Sequence, residues 1–288
     1  MTMAPEHSSS GIRVQHPWPL RLLRTAQFGL ARLIARGGYV QAHAAPFDLT
    51  FKGPAADCIT RHIYRLGSHE PVITRYLLDH VRLSDGEIAL DIGANLGWYS
   101  VLLDRLSVPG ARIFAFEPDP HSYGLLTANL AANSATAVTP LNIALGDRPG
   151  MGELHRYRDT NNGRHTLLAG NTSGGLVSVP VSTLTDFWNS RQLGERRIRF
   201  LKIDVEGYEY FVLRGAGDLL RRCDCMLLEY SPEGLQVSGL PSGALVELLA
   251  AAGLGIRAFS SGRLVPMTYA ALAAVNTQHD LIVEPLGR

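Results

Sequence analysis

Between Glu87 and Ser100 the chain reads EIALDIGANLGWYS, an apolar run that ends on Asp91, turns at Gly93 and Gly97, and continues into a helical pattern carrying Leu96, Tyr99, Val101 and Leu102. A passage from strand through glycine turn to helix restricts the fold more than any other stretch. It delivers Asp91 to the carboxyl edge of a sheet, and its glycines tolerate backbone angles and close approaches that a Cβ forbids. Alone, such a turn is shared by many nucleotide-binding proteins and identifies none of them.

The next unit narrows the choice. Arg112 to Pro120, RIFAFEPDP, reads as a second buried strand ending on Glu117 before a proline-terminated turn, and Ser100 to Leu106 supplies the helix between. Two such strands become parallel neighbours in a right-handed βαβ unit, which turns Glu117 and the glycine turn toward one crevice. A carboxylate there can accept both hydroxyls of a ribose. A dinucleotide fingerprint spaces its glycines as GxGxxG, whereas Asn95 holds the middle position of Gly93-Ala94-Asn95-Leu96-Gly97. Without that close-approach glycine a pyrophosphate is harder to seat; S-adenosylmethionine, which carries an amino acid and no phosphate, stays compatible.

The alternation continues with a helix over His121 to Ala132, a strand near Val138 to Ala144, a strand over Ile198 to Ile203 and a helix from Tyr208. A strand over Cys225 to Tyr230, a helix over Ser242 to Ala252 and terminal strands around Ile256 and Ile282 complete it. This order argues for an α/β, Rossmann-like, doubly wound sheet. Gly146 to Arg199 breaks the rhythm, with Gly163, Gly170, Gly174 and Gly175 around a Ser/Thr/Asn-rich tract before Leu176 to Val181 alternates like a strand. Long insertions of this kind commonly cover sites, and closure of Asn161 to Gly175 would exclude water.

Ahead of the sheet, Met1 to Gln15 reads as disordered, Leu20 to Arg36 as a basic amphipathic helix, and Pro46 to Phe51 as a short strand. Arg61 to Val81 reads as two helices, broken at Gly67 and restarted at Glu70-Pro71. The expected division is an N-terminal helical extension over residues 1–60 and a catalytic domain over residues 61–288. The basic helix could lie on an anionic membrane surface, although packing on the catalytic domain or on a second subunit of a homo-oligomer is the commoner use.

A net charge of +1 gives no global reason to expect nucleic acid as a partner. Cys58, Cys223 and Cys225 lack zinc-site spacing and read as reduced thiols. No run approaches membrane-spanning length and the start lacks a secretory pattern, so a cytoplasmic location is expected and the Asn171-Thr172-Ser173 sequon carries no weight.

The fourth sheet strand ends as FLKIDVEGYE, which puts Asp204 and Glu206 at the same carboxyl edge as Asp91 and Glu117. Asp204 and Glu206 are candidate general bases, and His165 in the insertion is the reserve; His69, His155 and His165 are all possible bases, although a lone loop histidine is usually just solvated. Lys202 reads as structural, either snorkelling or paired with an acid, and Glu229 ends the fifth strand at the same rim. Asn142 and Ala144 would flank an adenine if Glu117 holds the ribose, and Trp98 or Tyr99 could line the opposite end of that ligand. Asp204, Glu206 and Glu229 could together bind magnesium, but their spacing does not require it and no metal is assigned.

The strings DIGANLGWYS, FAFEPDP, LNIALGD and LKIDVEGYE, in that order, resemble the hallmark motifs of the FkbM-type S-adenosylmethionine-dependent methyltransferases. The resemblance spans Tyr64 to Glu284. It implies a seven-stranded sheet whose last strand is antiparallel, with Asp91 and Gly93 near the methionine moiety and Glu117 on the ribose; Asn95, Gly97 and Tyr99 of the glycine turn are further cofactor candidates. It also implies methyl transfer to a hydroxyl oxygen of a sugar, glycolipid or other natural product. Trp98 departs from the family's usual tyrosine or phenylalanine, and Thr185 stands where an acid is usual, with Asp186 next. The rival readings are a nicotinamide-dependent oxidoreductase and a non-catalytic cofactor-binding protein that recruits partners through Leu20 to Arg36. Methylation of nucleic-acid amino groups would call for an Asn/Asp-Pro-Pro-aromatic string, which Asp204-Val205-Glu206-Gly207 does not supply.

Overall fold

The computed structural model describes residues 14–156, 165–169, 174–260 and 262–287. Most of the expected disordered start and of the Asn161 to Gly175 closure segment, and all of the Asn171-Thr172-Ser173 sequon, lie outside them. The chain divides into two compact units, Met1–Arg82 and Leu83–Arg288, so the contact boundary falls after the helices of Arg61 to Val81 rather than before them.

The first unit contains helix α1 (Trp18–Ala35), strands β1 (Tyr39–Ala44) and β2 (Leu49–Pro54), and helices α2 (Cys58–Leu66) and α3 (Pro71–His80). Asp57 caps α2 by accepting the Thr60 N–H at 2.8 Å, and Gly67 in the left-handed region ends it. Pro71 opens α3, where a missing N–H costs nothing. The short strand expected over Pro46 to Phe51 is instead the second arm of an antiparallel hairpin. Ala45–Phe47 forms a 3-10 turn, Asp48 takes φ 52°, and pairing starts only at Leu49. Alternate residues Val40, Ala42 and Ala44 face inward opposite Leu49 and Phe51.

The second unit runs β3 (Ile88–Ile92), α4 (Trp98–Arg105), β4 (Arg112–Phe116), α5 (Pro120–Ala132), β5 (Val138–Leu141), β6 (Ala144–Leu145), β7 (Gly150–His155) and β8 (Leu176–Ser182). It continues α6 (Leu184–Ser190), β9 (Ile198–Ile203), α7 (Glu209–Ala216), β10 (Met226–Tyr230), α8 (Pro232–Val237) and α9 (Ala244–Ala251). It closes with β11 (Leu254–Ser260), β12 (Arg263–Met267), α10 (Tyr269–Ala273) and β13 (His279–Pro285). The main sheet is ordered β12-β11-β13-β10-β9-β3-β4-β5. Strands β5, β4, β3, β9 and β10 are mutually parallel, and β13 runs antiparallel to both β10 and β11. This is the doubly wound, Rossmann-like sheet with an antiparallel last strand; an eighth strand, β12, extends its edge by folding back on β11.

Every residue of β3 is buried, as a strand covered by helices on both faces requires. Phe114 and Phe116 from β4 meet the edge of Phe187 at centroid distances of 5.0 and 4.8 Å. Burying each such ring contributes about 1.5–3 kcal/mol. Leu96, read as helical from the sequence, lies in the turn, because Gly97 at φ 93° precedes the first helical residue, Trp98.

The strand expected over Val138 to Ala144 breaks after Leu141. The Asn142 amide donates to the carbonyls of Glu117 and Pro118 at 2.8 and 2.9 Å, which turns the chain out of the main sheet. Ala144 then begins a second sheet ordered β6-β8-β7. Among the described residues the insertion therefore carries two paired strands and a helix. Glycines at 150 and 152 obscure β7 in the sequence, yet it pairs antiparallel with β8 from Gly150 to His155, and Thr183 caps α6 by accepting the Asp186 N–H.

Candidate functional site

The main sheet changes direction between β3 and β9. From β3 the chain winds outward through β4 and β5, then returns to place β9 and β10 on the other side. Crevices at the carboxyl ends of strands flanking such a point are where open α/β sheets bind ligands. Four consecutive strands, β10-β9-β3-β4, bring Glu229, Asp204 with Glu206, the glycine turn, and Glu117 to that edge.

The turn after β3 is tied inward by its own backbone. Gly93 and Ala94 donate to the Phe116 carbonyl, both at 3.0 Å, and Gly97 donates to Ala94 at 2.8 Å. The Asn95 N–H donates to Glu117 Oε2 at 2.7 Å, while Asp119 N–H donates to Oε1 at 2.9 Å. The Gly93, Ala94, Asn95 and Gly97 N–H groups are thus engaged within the protein, whereas each Glu117 oxygen keeps a further lone pair. Two vicinal hydroxyls fit that acceptor set. Burial raises the Glu117 carboxyl to about 8, against the pull of the two N–H donors.

Gly93 serves a purpose that the sequence did not reveal. At φ 81° a Cβ there would lie 1.8 Å from the Asp204 carbonyl oxygen, so its bareness lets the β3 turn and the β9 loop pack back to back. Asn95 at φ 49° and Glu206 at φ 53° hold left-handed backbone in these two loops. Strained angles in non-glycine residues cost about 1–3 kcal/mol each and concentrate where a loop's shape is needed for function.

Beneath the loops lies a buried ionic cluster. The Lys202 ammonium is 2.8 Å from Asp204 Oδ2, 4.0 Å from Asp91 Oδ1 and 5.0 Å from the Tyr99 ring centroid. Asp91 is 0% exposed, and its Oδ2 accepts the Ser100 hydroxyl at 2.6 Å. Burial pushes its carboxyl up, opposed by Lys202 and Ser100. Asp91 therefore supports the turn from behind and presents no surface to a ligand; Tyr99, also buried, forms the floor under Lys202. The sequence signal for Lys202 was a lysine between Leu201 and Ile203, just before Asp204, and of the two uses open to it, snorkelling or pairing with an acid, the structure places the pairing there.

Asp204, Glu206 and Glu229 each bring a carboxylate oxygen within 4.8 Å of the others, a set that could hold a cation. Glu229 also accepts the Gln278 amide. Burial pushes its carboxyl well up, and Asp204 and Glu206 add to the shift. Glu209, which sequence reasoning passed over, is buried at the start of α7; its Oε1 accepts the Val205 and Gly207 N–H groups at 3.3 and 2.9 Å and so fixes the loop that carries Asp204 and Glu206. Burial pushes the Glu209 carboxyl up to about 7.

The side-chain amide of Asn142 is committed to the Glu117 turn, and the Ala144 methyl packs with Leu154 and Val179 in the small sheet. The small sheet reaches the crevice twice. Arg156, after β7, forms an ion pair with the α5 cap Asp119, and a Cβ on Gly207 would lie 3.0 Å from Leu168 Cδ1. His165 lies three residues before Leu168, on the segment joined to β7 by the His155–Thr166 bridge.

The profile of the Methyltransferase FkbM domain matches residues 91–249. "Methyltransferase sdnD" of Sordaria araneosa is 30% identical over 178 residues, covering 52% of this chain and 68% of its own length. "Hexuronic acid methyltransferase AglP" of Haloferax volcanii is 26% identical over 160 residues, covering 56% and 62%. "2-O-methyltransferase NoeI" of Sinorhizobium fredii is 27% identical over 176 residues, covering 56% and 70%. The chain spans about two thirds of the length of these relatives.

Proposed function

Because the chain belongs to the FkbM methyltransferase family, we propose that it moves a methyl group from S-adenosylmethionine to a hydroxyl oxygen of a sugar, glycolipid or related natural product. Family membership makes the chain a methyltransferase and sets the nicotinamide reductase reading aside. The hydroxyl acceptor is carried over from the relatives named for hexuronic acid and for 2-O-methylation. We assign the catalytic role to the unit from Leu83 onward, with the preceding residues as an accessory unit.

The observation that carries the donor assignment is the Glu117 carboxylate, which accepts the Asn95 and Asp119 N–H groups beside the glycine turn and keeps acceptor capacity for a diol. Glu117 would hold the ribose, and Gly93, Asn95 and Gly97 would border the sulfonium side. The bound donor supplies an electrophilic methyl carbon for in-line attack. The chain's own task is to align the acceptor oxygen and remove its proton, and alignment alone is worth about 7–11 kcal/mol. Asp204 and Glu206 are the assigned bases, with His165 as reserve. Burial and its acidic neighbours favour the neutral form of Glu229. Asp204 is oriented by Lys202, and the loop by Glu209.

Calorimetry with S-adenosylhomocysteine tests the pocket. Wild type should bind and Glu117→Ala should bind at least tenfold more weakly, since hydrogen bonds to a charged group contribute about 1.5–3 kcal/mol. Equal affinity would remove Glu117 from the site. Labelled methyl donor offered with sugar and natural-product acceptors, using Glu206→Gln as the impaired control, tests the transfer.

A further inference from the structure

Helix α1 exposes a face that its own unit does not use. Phe28 is buried against Tyr64 of α2 at a centroid distance of 5.2 Å, with Ala31 and Ala35 beside it. On the other side Trp18, Leu22, Leu30, Leu33 and Ile34 are exposed by 65, 61, 61, 75 and 72%. At 100° per residue they fall in one stripe about 160° wide, along a helix of roughly 27 Å. Large apolar side chains left out along a whole helix mark an interaction surface.

The charges beside the stripe have one sign. Arg21, Arg24, Arg32 and Arg36 occur with no Asp or Glu between Val14 and Phe47. Residues 14–82 carry nine Lys and Arg against four Asp and Glu, although the whole chain has a net charge of only +1. Arg21 and Arg32 project about 40–60° beyond the Trp18 edge of the stripe. No helix among the described residues is long and apolar enough to cross a membrane.

We propose that α1 lies in the plane of a lipid bilayer carrying anionic headgroups, with Trp18, Leu22, Leu30, Leu33 and Ile34 in the acyl boundary and Arg21, Arg32 and Arg36 among the headgroup phosphates. An apolar face, a basic flank and a terminal tryptophan are the features of interfacial helices. A second copy of the chain fits the face poorly. Two such helices meeting would bring their arginines together with no carboxylate on either, whereas an anionic headgroup layer supplies the missing charge.

The test mixes the full chain with vesicles of phosphatidylcholine alone or in equal mixture with phosphatidylglycerol, and measures co-sedimentation and tryptophan fluorescence. Trp98 and Trp188 are each 2% exposed, so an environment-sensitive shift reports Trp18. The chain should partition to the anionic vesicles, shift its emission to the blue, be quenched by brominated acyl chains, and bind less as salt rises. Arg32→Ala with Arg36→Ala should lose about 25-fold in partitioning, at roughly fivefold per arginine, and Leu22→Glu with Leu33→Glu should lose it outright. All these substitutions are on the surface, and unchanged S-adenosylhomocysteine affinity verifies that the variants fold. No binding to either vesicle, binding with an unmoved Trp18 signal, or a dimer that Leu33→Glu dissociates would each overturn the proposal.

Discussion

Replacing Gly93 by alanine tests the claim that the glycine turn and the β9 loop are fitted to each other. The new Cβ would sit 1.8 Å from the Asp204 carbonyl oxygen, on a backbone at φ 81°. Left-handed backbone costs an L-residue about 1–2 kcal/mol, and overpacking a tight contact adds about 1–3 kcal/mol. Relief by retreat of the Asp204 loop is opposed on two sides: the Asp204 N–H donates to Ile92 at 3.1 Å and its carboxylate holds Lys202 at 2.8 Å. Gly86 supplies the control, because it has φ 76° and nothing within 4 Å of a Cβ. Gly86→Ala should therefore show the backbone cost alone, and the loss of unfolded-chain entropy is common to both and cancels. Urea unfolding with unchanged slopes should place Gly93→Ala about 1–3 kcal/mol below Gly86→Ala. Only Gly93→Ala should also weaken S-adenosylhomocysteine, since only its strain reaches the Asp204 loop. Two variants of equal stability and equal affinity would refute the steric account.

Lys202→Met leaves Asp91 and Asp204 without their cation in a buried setting and should destabilise by about 3–5 kcal/mol, measured by thermal or urea unfolding; a neutral result would show that the ion cluster is dispensable. Glu117, raised to about 8 in the folded protein from an ordinary 4.5, stabilises fully below pH 4.5, and that contribution is lost as pH rises through 8. Ligand-free stability should thus fall by on the order of 2 kcal/mol between pH 6 and 9, and Glu117→Gln should flatten the fall; an equal slope in that variant removes Glu117 as its cause. A bound diol favours the ionised carboxylate, so S-adenosylhomocysteine binding below pH 8 should release a proton, detectable by calorimetry in buffers of different ionisation enthalpy. Glu209→Ala frees the Val205 and Gly207 N–H groups that define the Asp204–Glu206 loop. It should lower turnover more than it weakens S-adenosylhomocysteine; the reverse pattern would assign Glu209 to the cofactor pocket.

Where local chemistry governed the structure, it could be read from the residues alone. The break at Gly67, the restart at Glu70-Pro71 and the strands that stop within one residue of Asp91 and Glu117 follow from backbone angles, a missing N–H and runs of buried apolar residues. The second sheet was hidden because β7 carries two glycines and its partner β8 lies beyond a long insertion, so no local periodicity announces the pairing. The extra edge strand β12 escaped for a similar reason, since its burial does not alternate and it exists only by folding back on β11.

Sequence by itself determined which acids reach the carboxyl edge of the sheet, because the length and polarity of each apolar run fix where its strand stops. Which of those acids are sealed and which keep free lone pairs was decided only by tertiary packing. Asp91 and Glu117 end neighbouring strands, yet the first is sealed beneath Ser100 and Lys202 while the second keeps lone pairs at the crevice. That difference arises from side chains distant in sequence, whose desolvation and pairing exist only once β9 lies against β3.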